Sequence, residues 1–156
     1  MHDNTHPDII VCDIDGTLST VAPSRAVLLE EEHPDWDRFY EDDFDDEPVE
    51  DVCRLVRDLS RHCRIVFCTS RRDSVREKTE AWLRRHLGTD TFVNGYDLLM
   101  RRGDDPRPDT AVKPELLKRH LHGNGIPASA VACVFEDSTS MARAWRQDGF
   151  SCLLVA

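Results

Sequence analysis

Short runs of apolar residues divide the chain and predict the strands of a buried sheet. Segments 9–12, 64–68 and 131–135 are almost continuously apolar. Such runs are typical of parallel strands that are covered on both faces. A weaker strand is predicted at 91–93, and a last one at 152–155.

Helical periodicity appears between these runs. Apolar residues recur at three- and four-residue spacing over 48–59. Further helices are predicted over 73–87, 114–122 and 138–147, and Pro114 is suited to a first helical turn. Strands that alternate with helices predict an α/β fold: a doubly wound, mostly parallel sheet.

Residues 18–47 show no convincing hydrophobic period. Thirteen acids and one base lie between Glu30 and Asp51, a net charge of −12. This acidic density predicts a solvent-exposed insertion that holds one short helix. We therefore expect a single domain over 1–156, with 18–47 as a small cap within it.

Composition places the chain among ordinary globular proteins. Of its 156 residues, 40% are hydrophobic and 32% are charged. No apolar stretch is long enough to span a bilayer, and the first residues are too polar for a secretory signal. These features predict a cytoplasmic protein that does not contact a membrane.

The charge is unevenly distributed. The formal net charge is −10, but residues 54–119 hold sixteen bases and ten acids, a net of +6. A phosphate-rich ligand is able to meet this basic half. The alternative is that both halves are solvated surfaces without a partner.

Carboxylates and a hydroxyl follow the predicted strands where each one ends. Asp13 and Asp15 follow the first strand and Thr69 the second, whereas Glu136 and Asp137 follow the strand at 131–135. Ligands of open α/β sheets bind at the carboxyl ends of the strands, so these side chains should converge. Clustered carboxylates are costly unless a cation neutralises them, and oxygen ligands suit Mg²⁺. We expect Asp13, Asp15 and Asp137 to bind the metal, with Glu136 behind Asp137.

Asp13 and Asp15 are suited to phosphoryl transfer. They are two residues apart, so on an extended backbone they point to the same side. We expect Asp13 to attack the phosphorus atom and form an acyl-phosphate. Asp15 would protonate the leaving oxygen and then accept a proton from the attacking water.

Four further residues are candidates for holding the phosphoryl group. Gly16 permits a tight turn that brings backbone N–H groups to the phosphate, and Thr17 adds a hydroxyl. Thr69 can donate a hydrogen bond. Lys113 is expected just before the helix that Pro114 opens, where its charge would neutralise both the phosphate and Asp13.

These residues resemble the motifs of the haloacid dehalogenase (HAD) superfamily of phosphatases. Asp13-Ile14-Asp15-Gly16-Thr17 resembles its D-x-D-G-T signature. Thr69, Lys113 and the pair Glu136-Asp137 resemble its other three motifs, in the same order. The resemblance implies a HAD-like Rossmannoid fold and a phosphoric monoester hydrolase.

A narrower resemblance is to the 3′-phosphatase domain of bacteriophage polynucleotide kinase/phosphatase. It rests on Thr69-Ser70-Arg71, on the arginine-rich segment 101–104, and on Asp109 four residues before Lys113. This resemblance implies Mg²⁺ as the cofactor and a role in nucleic-acid repair, in the host cytoplasm if a phage encodes the chain. The substrate-binding residues that it implies are Gly16, Thr17, Arg25, Ser70, Arg71, Arg102 and Asp109.

The resemblance implies removal of 3′-phosphate from nucleic-acid ends or 3′-nucleotides. The P-loop pattern G-x-x-x-x-G-K-[ST] is absent from this sequence, so we expect any kinase or ligase partner to be a separate protein. Two alternatives stay open: a small-molecule phosphatase such as a nucleotidase, and a binding module without catalysis. Trp36, Trp82 and Trp145 are interpreted as packing residues rather than as platforms for base stacking.

Overall fold

The computed structural model describes residues 8–41 and 46–155. The strands are β1 (Ile9–Cys12), β2 (Arg64–Arg72), β3 (Tyr96–Arg101), β4 (Val131–Glu136) and β5 (Cys152–Leu154). The helices are α1 (Pro23–Ala26), α2 (Trp36–Glu41), α3 (Glu50–Leu59), α4 (Arg76–Leu87), α5 (Asp109–Gly123) and α6 (Thr139–Gln147). These strands form one parallel sheet in the order β3-β2-β1-β4-β5, which confirms the predicted fold class. None of the described helices has the length and apolar character needed to cross a bilayer.

The central strand β1 is buried on both faces, as its apolar run predicts. Its side chains alternate between two hydrophobic cores. Ile10 and Cys12 belong to the core beneath α3 and α4, whereas Ile9 and Val11 belong to the core beneath α5 and α6. The sheet is therefore sandwiched between two layers of helices.

The strand order places a crevice at the carboxyl ends of β1 and β4. The chain runs from β1 through β2 to β3 at one edge, and then crosses to β4 on the other side of β1. Loops after β1 and β4 lead away to opposite faces, which is the arrangement that forms ligand sites in open α/β sheets. The backbone N–H of Asp13 donates to the carbonyl of Phe135 at 3.0 Å, so the two strand ends are held side by side.

The prediction of a strand at residues 91–93 is wrong. Thr89–Thr91 forms a short 3₁₀ helix, and Val93 is 79% exposed. The strand that pairs with β2 is β3, where Leu98 and Met100 are buried. The β-branched residues at 91 and 93 suggested a strand, but none of the strands in the described part of the chain pairs with them.

The start predicted for α5 is also wrong. The helix begins at Asp109 instead of Pro114, because the carbonyl of Pro108 accepts two N–H groups of the first turn at 3.0 and 3.1 Å. Pro114 lies inside the helix, where it cannot donate to the carbonyl of Thr110. Lys113 consequently projects from the helix itself, and its side chain is buried.

The other predicted helices are confirmed within a few residues. Residues 73–75 form a 3₁₀ turn before α4, and Gly88 ends that helix with a φ of +64°. Ser138 caps α6, because its hydroxyl accepts the N–H of Met141 at 3.3 Å. β2 extends beyond its predicted end, through Thr69 to Arg72.

The insertion over 18–47 begins and ends at neighbouring positions in the fold. Its two ends are joined by hydrogen bonds from Thr20 N to the Glu47 carbonyl, at 2.8 Å, and from Val49 N to the Leu18 carbonyl, at 2.7 Å. The described part contains α1, a 3₁₀ turn at Val27–Leu29 and α2, so it holds two short α-helices instead of one. Residues 42–45 lie outside the described residues, and a capping role stays a prediction.

We expect Leu117→Ala to lower the free energy of unfolding by about 2–5 kcal/mol. Leu117 has no exposed surface in the core beneath α5, so its truncation leaves a cavity. Leu55→Ala is a matched helical control, because Leu55 is 46% exposed on α3, and its effect should stay within about 0.5 kcal/mol. Urea unfolding measures both; equal losses would mean that α5 does not cover this core.

Candidate active site

Asp13 lies directly after β1, at the bottom of the crevice. Its Oδ1 accepts a hydrogen bond from Lys113 Nζ at 2.8 Å, and its Oδ2 accepts one from Thr17 Oγ1 at 3.0 Å. Burial raises the pKa of Asp13 to about 6, although the charge of Lys113 opposes that shift. The carboxylate is held in a single orientation, with little water around it.

Lys113 joins the ends of β1 and β4. Its Nζ donates to Asp13 and, at 2.7 Å, to Oε2 of Glu136. Burial alone would lower the pKa of Lys113, but the charges of Asp13 and Glu136 outweigh it and raise the pKa. Glu136 is held in turn by Trp145 Nε1 at 3.5 Å and by the N–H of Asp137 at 3.3 Å. The ammonium is therefore permanently charged and fixed beside Asp13.

Gly16 and Thr17 bring the turn after β1 against Asp137. Thr17 Oγ1 lies 3.2 Å from Asp137 Oδ1 as well as within reach of Asp13. Gly16 has a φ of +86°, and a Cβ at this position would lie 2.1 Å from Asp137 Oδ2. Only glycine permits both this backbone conformation and this approach of the carboxylate.

Three carboxylates are close enough to share a cation. Asp13, Glu136 and Asp137 each offer an oxygen within 4.8 Å of the others, the one such group in residues 8–41 and 46–155. Burial, together with the hydrogen bond and charge of Asp13, raises the pKa of Asp137 to about 6. Oxygen donors whose negative charges are incompletely balanced fit Mg²⁺. The Asp15 carboxylate is not in this group, so its predicted place as a metal ligand has no such support from its side chain.

Asp15 is held by Arg71 instead. Arg71 Nε and Nη2 donate to the two carboxylate oxygens at 2.9 and 2.7 Å, a bidentate pair. Burial would raise the pKa of Asp15, but Arg71 outweighs it and lowers the pKa. Arg71 has no exposed surface, and its Nη1 also donates to Thr79 Oγ1 at 3.3 Å. In this arrangement Arg71 orients Asp15, and contact of Arg71 with substrate stays a prediction.

Asp46 is a buried residue of the site that the sequence analysis missed. Its carboxylate pairs with Arg25 and lies 3.6 Å from Arg71 Nη2, and its Oδ1 accepts the N–H of Ala22 at 2.9 Å. Arg25 also lies 3.9 Å from Asp15, so two arginines and two aspartates form one buried network. Arg25 was predicted to bind substrate; the structure places it within this network, with its Nε bonded to the Phe39 carbonyl at 2.9 Å.

The end of β2 supplies two hydroxyls to the crevice. Thr69 Oγ1 accepts the N–H of Arg71 at 3.1 Å. Ser70 Oγ is buried and has no hydrogen-bond partner among the residues that the structure describes, so it is available to a ligand. The crevice has a volume of about 170 Å³ and is lined by Asp13, Asp15, Thr69, Ser70, Asp109, Lys113, Glu136, Asp137, Ser138 and Met141.

The two arginines of the arginine-rich segment differ in burial. Arg102 is largely exposed, 3.4 Å from Asp104, and does not line the crevice. Arg101 is the buried member, and its Nη2 donates to Asp109 Oδ1 at 2.6 Å. Asp109 does line the crevice, and a substrate-binding role for it and for Arg102 stays a prediction.

The fold is similar to those of two solved hydrolase structures. A haloacid dehalogenase-like hydrolase from Streptococcus pneumoniae is 13% identical, with a TM-score of 0.61 over 97% of this chain and 86% of the other. D,D-heptose 1.7-bisphosphate phosphatase from B. bronchiseptica, complexed with magnesium and phosphate, is 14% identical, with a TM-score of 0.59 over 94% and 79%. These likenesses confirm the predicted HAD-like fold.

Residues 7–156 match the family described as the polynucleotide kinase PNKP phosphatase domain, and the chain belongs to this family. It is a phosphoric monoester hydrolase. Two structures of a Pnkp1/Rnl/Hen1 complex, one titled an RNA repair complex, contain similar chains at 23% and 22% identity, with TM-scores of 0.69 and 0.66. The match covers 99% and 98% of this chain but only 44% and 47% of theirs, so this chain spans less than half of their length. No curated protein sequence matches significantly.

We expect Asp46→Asn to lower kcat at least about tenfold, because Arg71 and Arg25 lose a buried charge that helps to hold Asp15. The free energy of unfolding should fall by about 1.5–3 kcal/mol, as for other hydrogen bonds to charged groups. Phosphate release from an aryl phosphate and urea unfolding provide the two measurements.

Asp51→Asn is the matched control. Asp51 lies in the same acidic stretch, but it is exposed and pairs with the exposed Arg54 at 2.8 Å, so both quantities should stay near wild type. Unchanged kcat in Asp46→Asn would show that the buried network does not position Asp15.

Proposed function

We propose that this chain is a Mg²⁺-dependent phosphatase that removes the 3′-phosphate from nucleic-acid ends through an aspartyl-phosphate on Asp13. The observation that carries the proposal is the setting of Asp13 in a chain that matches the PNKP phosphatase family over residues 7–156. Its carboxylate lies at the bottom of the crevice, between Lys113 and Thr17. That setting suits a nucleophile, because the carboxylate is oriented and partly desolvated.

In the first step, an oxygen of Asp13 attacks the phosphorus atom. The new oxygen–phosphorus bond forms as the bond to the 3′-oxygen of the substrate breaks. Lys113 Nζ lies 2.8 Å from Asp13, so its charge is available to the phosphoryl oxygens during transfer. Ser70 Oγ offers a further hydrogen bond from the end of β2.

Asp15 would move the protons. Its pair with Arg71 favours the carboxylate, which is the form needed to accept a proton from the water that hydrolyses the aspartyl-phosphate. The first step needs the protonated form, to give the leaving 3′-oxygen its proton. Entry of a phosphate dianion raises the pKa of a neighbouring carboxylate, which favours protonation at that stage.

Asp13, Asp137 and the nearby Glu136 are the residues that would hold Mg²⁺. When bound, the cation would neutralise the carboxylates and the phosphate and act as a Lewis acid. Glu136 also binds Lys113, so its contribution to a metal site depends on keeping that ion pair. The Thr17 hydroxyl lies within hydrogen-bonding distance of both Asp13 and Asp137 and can donate its one proton to either, which keeps the two carboxylates close together.

The size of the crevice supports a substrate that is mostly outside it. A volume of about 170 Å³ suits a phosphoryl group, and it lies below the roughly 300–1,000 Å³ of sites that enclose small molecules. The end of a nucleic-acid strand could place its phosphate in the crevice while the strand runs along the surface. Similar chains occur in a Pnkp1/Rnl/Hen1 complex, so a separate ligase or kinase partner belongs to the same proposal.

We expect Asp13→Asn to reduce phosphate release by about four orders of magnitude or more, since it removes the nucleophile. The fold should survive, because asparagine has the same shape and Lys113 keeps Glu136 as a partner. Release of phosphate from an aryl phosphate with and without Mg²⁺, together with the melting temperature, makes the comparison. Wild-type protein that folds but stays inert with Mg²⁺ would point to a non-catalytic binding module.

We expect a 3′-phosphorylated oligonucleotide to be a better substrate than its 5′-phosphorylated twin, by at least about tenfold in kcat/KM. The two oligonucleotides share sequence, length and charge, so only the position of the phosphate differs. Phosphate release under Mg²⁺ measures both. Equal rates would leave a phosphatase without preference for a nucleic-acid end, such as one for small molecules.

A further inference from the structure

A second and larger groove adjoins the crevice. It has a volume of about 490 Å³, and its lining includes Trp36, Arg72, Pro106, Pro108 and Asp109. Asp109 also lines the crevice that contains Asp13, so the two cavities meet at this residue. A ligand whose phosphate lies beside Asp13 can therefore extend into the groove.

β2 runs from one cavity to the other. Ser70 lines the crevice, and Arg72, two residues later on the same strand, lines the groove. Two residues of chain span at most about 7 Å, even though the pairing of β2 with β3 is irregular between Thr69 and Arg72. This short distance means that one nucleotide is long enough to reach from the crevice into the groove.

Trp36 presents an aromatic surface to the groove. It is 47% exposed, whereas Trp82 and Trp145 are buried, so Trp36 is only partly used in packing. Its ring stands edge-on to the buried ring of Phe39, with 5.9 Å between the centroids. Phe39 in turn lies under the guanidinium of Arg25, 4.4 Å from its ring centroid. Trp36 is thus connected, through Phe39 and Arg25, to the buried network that holds Asp15.

The groove is less acidic than the protein as a whole. Its lining holds three arginines and two aspartates, whereas the whole chain carries −10. Arg101 pairs with Asp109, and Arg107 pairs with Asp105 and Glu115. Pro106 and Pro108 add apolar surface on the same groove. An aromatic platform, apolar walls and guanidinium groups together match an aromatic ligand that is linked to phosphate.

Resting on the proposed function, we propose that this groove binds the nucleoside that carries the 3′-phosphate, with its base stacked on Trp36. The volume falls within the roughly 300–1,000 Å³ of small-molecule sites, so a base and a sugar fit. Every base has an aromatic face, so stacking on Trp36 accepts any of the four. The groove would then bind the terminal nucleoside without preference for a particular base.

The test compares two 3′-phosphorylated oligonucleotides that differ only in the terminal residue, which either carries a base or is abasic. We expect Trp36→Ala to lower kcat/KM about tenfold on the substrate with the base, mainly through KM, and to have a much smaller effect on the abasic one. Removal of the base and removal of the ring should therefore be non-additive. Trp36→Phe, which keeps an aromatic face, should recover most of the loss.

Val27→Ala is the control, because Val27 is exposed in the same insertion but does not line the groove. It should match wild type on both substrates. If the wild type prefers 3′-phosphate ends but Trp36→Ala leaves kcat/KM unchanged, or lowers it equally on both substrates, the nucleoside site is overturned and the proposed function stands. If the wild type acts equally on 3′- and 5′-phosphate ends, the proposed function itself fails, and this inference fails with it.

Discussion

The buried ammonium of Lys113 is the interaction on which the site depends. It lies between Asp13 after β1 and Glu136 at the end of β4, with distances of 2.8 and 2.7 Å. Without it, two carboxylates at adjacent strand ends would face each other with little water to screen them. Removing one partner of a buried ion pair typically lowers the free energy of unfolding by about 3–5 kcal/mol. The same ion pairs therefore stabilise the sheet and fix the geometry of the crevice.

Two neighbouring aspartates are given opposite properties by their surroundings. Burial raises the pKa of Asp13 to about 6, whereas the bidentate pair with Arg71 lowers the pKa of Asp15. Carboxylates with divergent pKa values are a common basis for separate roles in catalysis. Here the division follows from two ion-pair systems, one built on Lys113 from α5 and the other on Arg71 from β2. Although only one residue separates them, Asp13 pairs with Lys113 and Asp15 pairs with Arg71.

The sequence predicts those features that depend on short segments. The runs at β1 and β4 are apolar enough to identify buried strands, and the residues that follow them are therefore placed correctly at the crevice. Asp46 could not be found in this way, because it is one of thirteen acids in its stretch and its burial depends on how the insertion folds back. The difference in burial between Arg101 and Arg102 depends on where β3 ends, and the sequence predicted that strand at the wrong residues.

The acidic insertion also affects where a phosphate can approach. Glu30, Glu31, Glu32 and Asp35 are exposed, and so are Glu47, Glu50 and Asp51. Asp46 differs from these described acids, because it is buried and its charge is balanced by Arg25 and Arg71. The exposed acids repel a polyanion, whereas the groove, with three arginines and two aspartates in its lining, repels it less. One segment thereby supplies a buried carboxylate that orders the arginines and an exposed negative surface that disfavours approach from its own side. The crevice itself is lined by five carboxylates and one lysine, so a bound cation would be needed before a phosphate meets a favourable potential there.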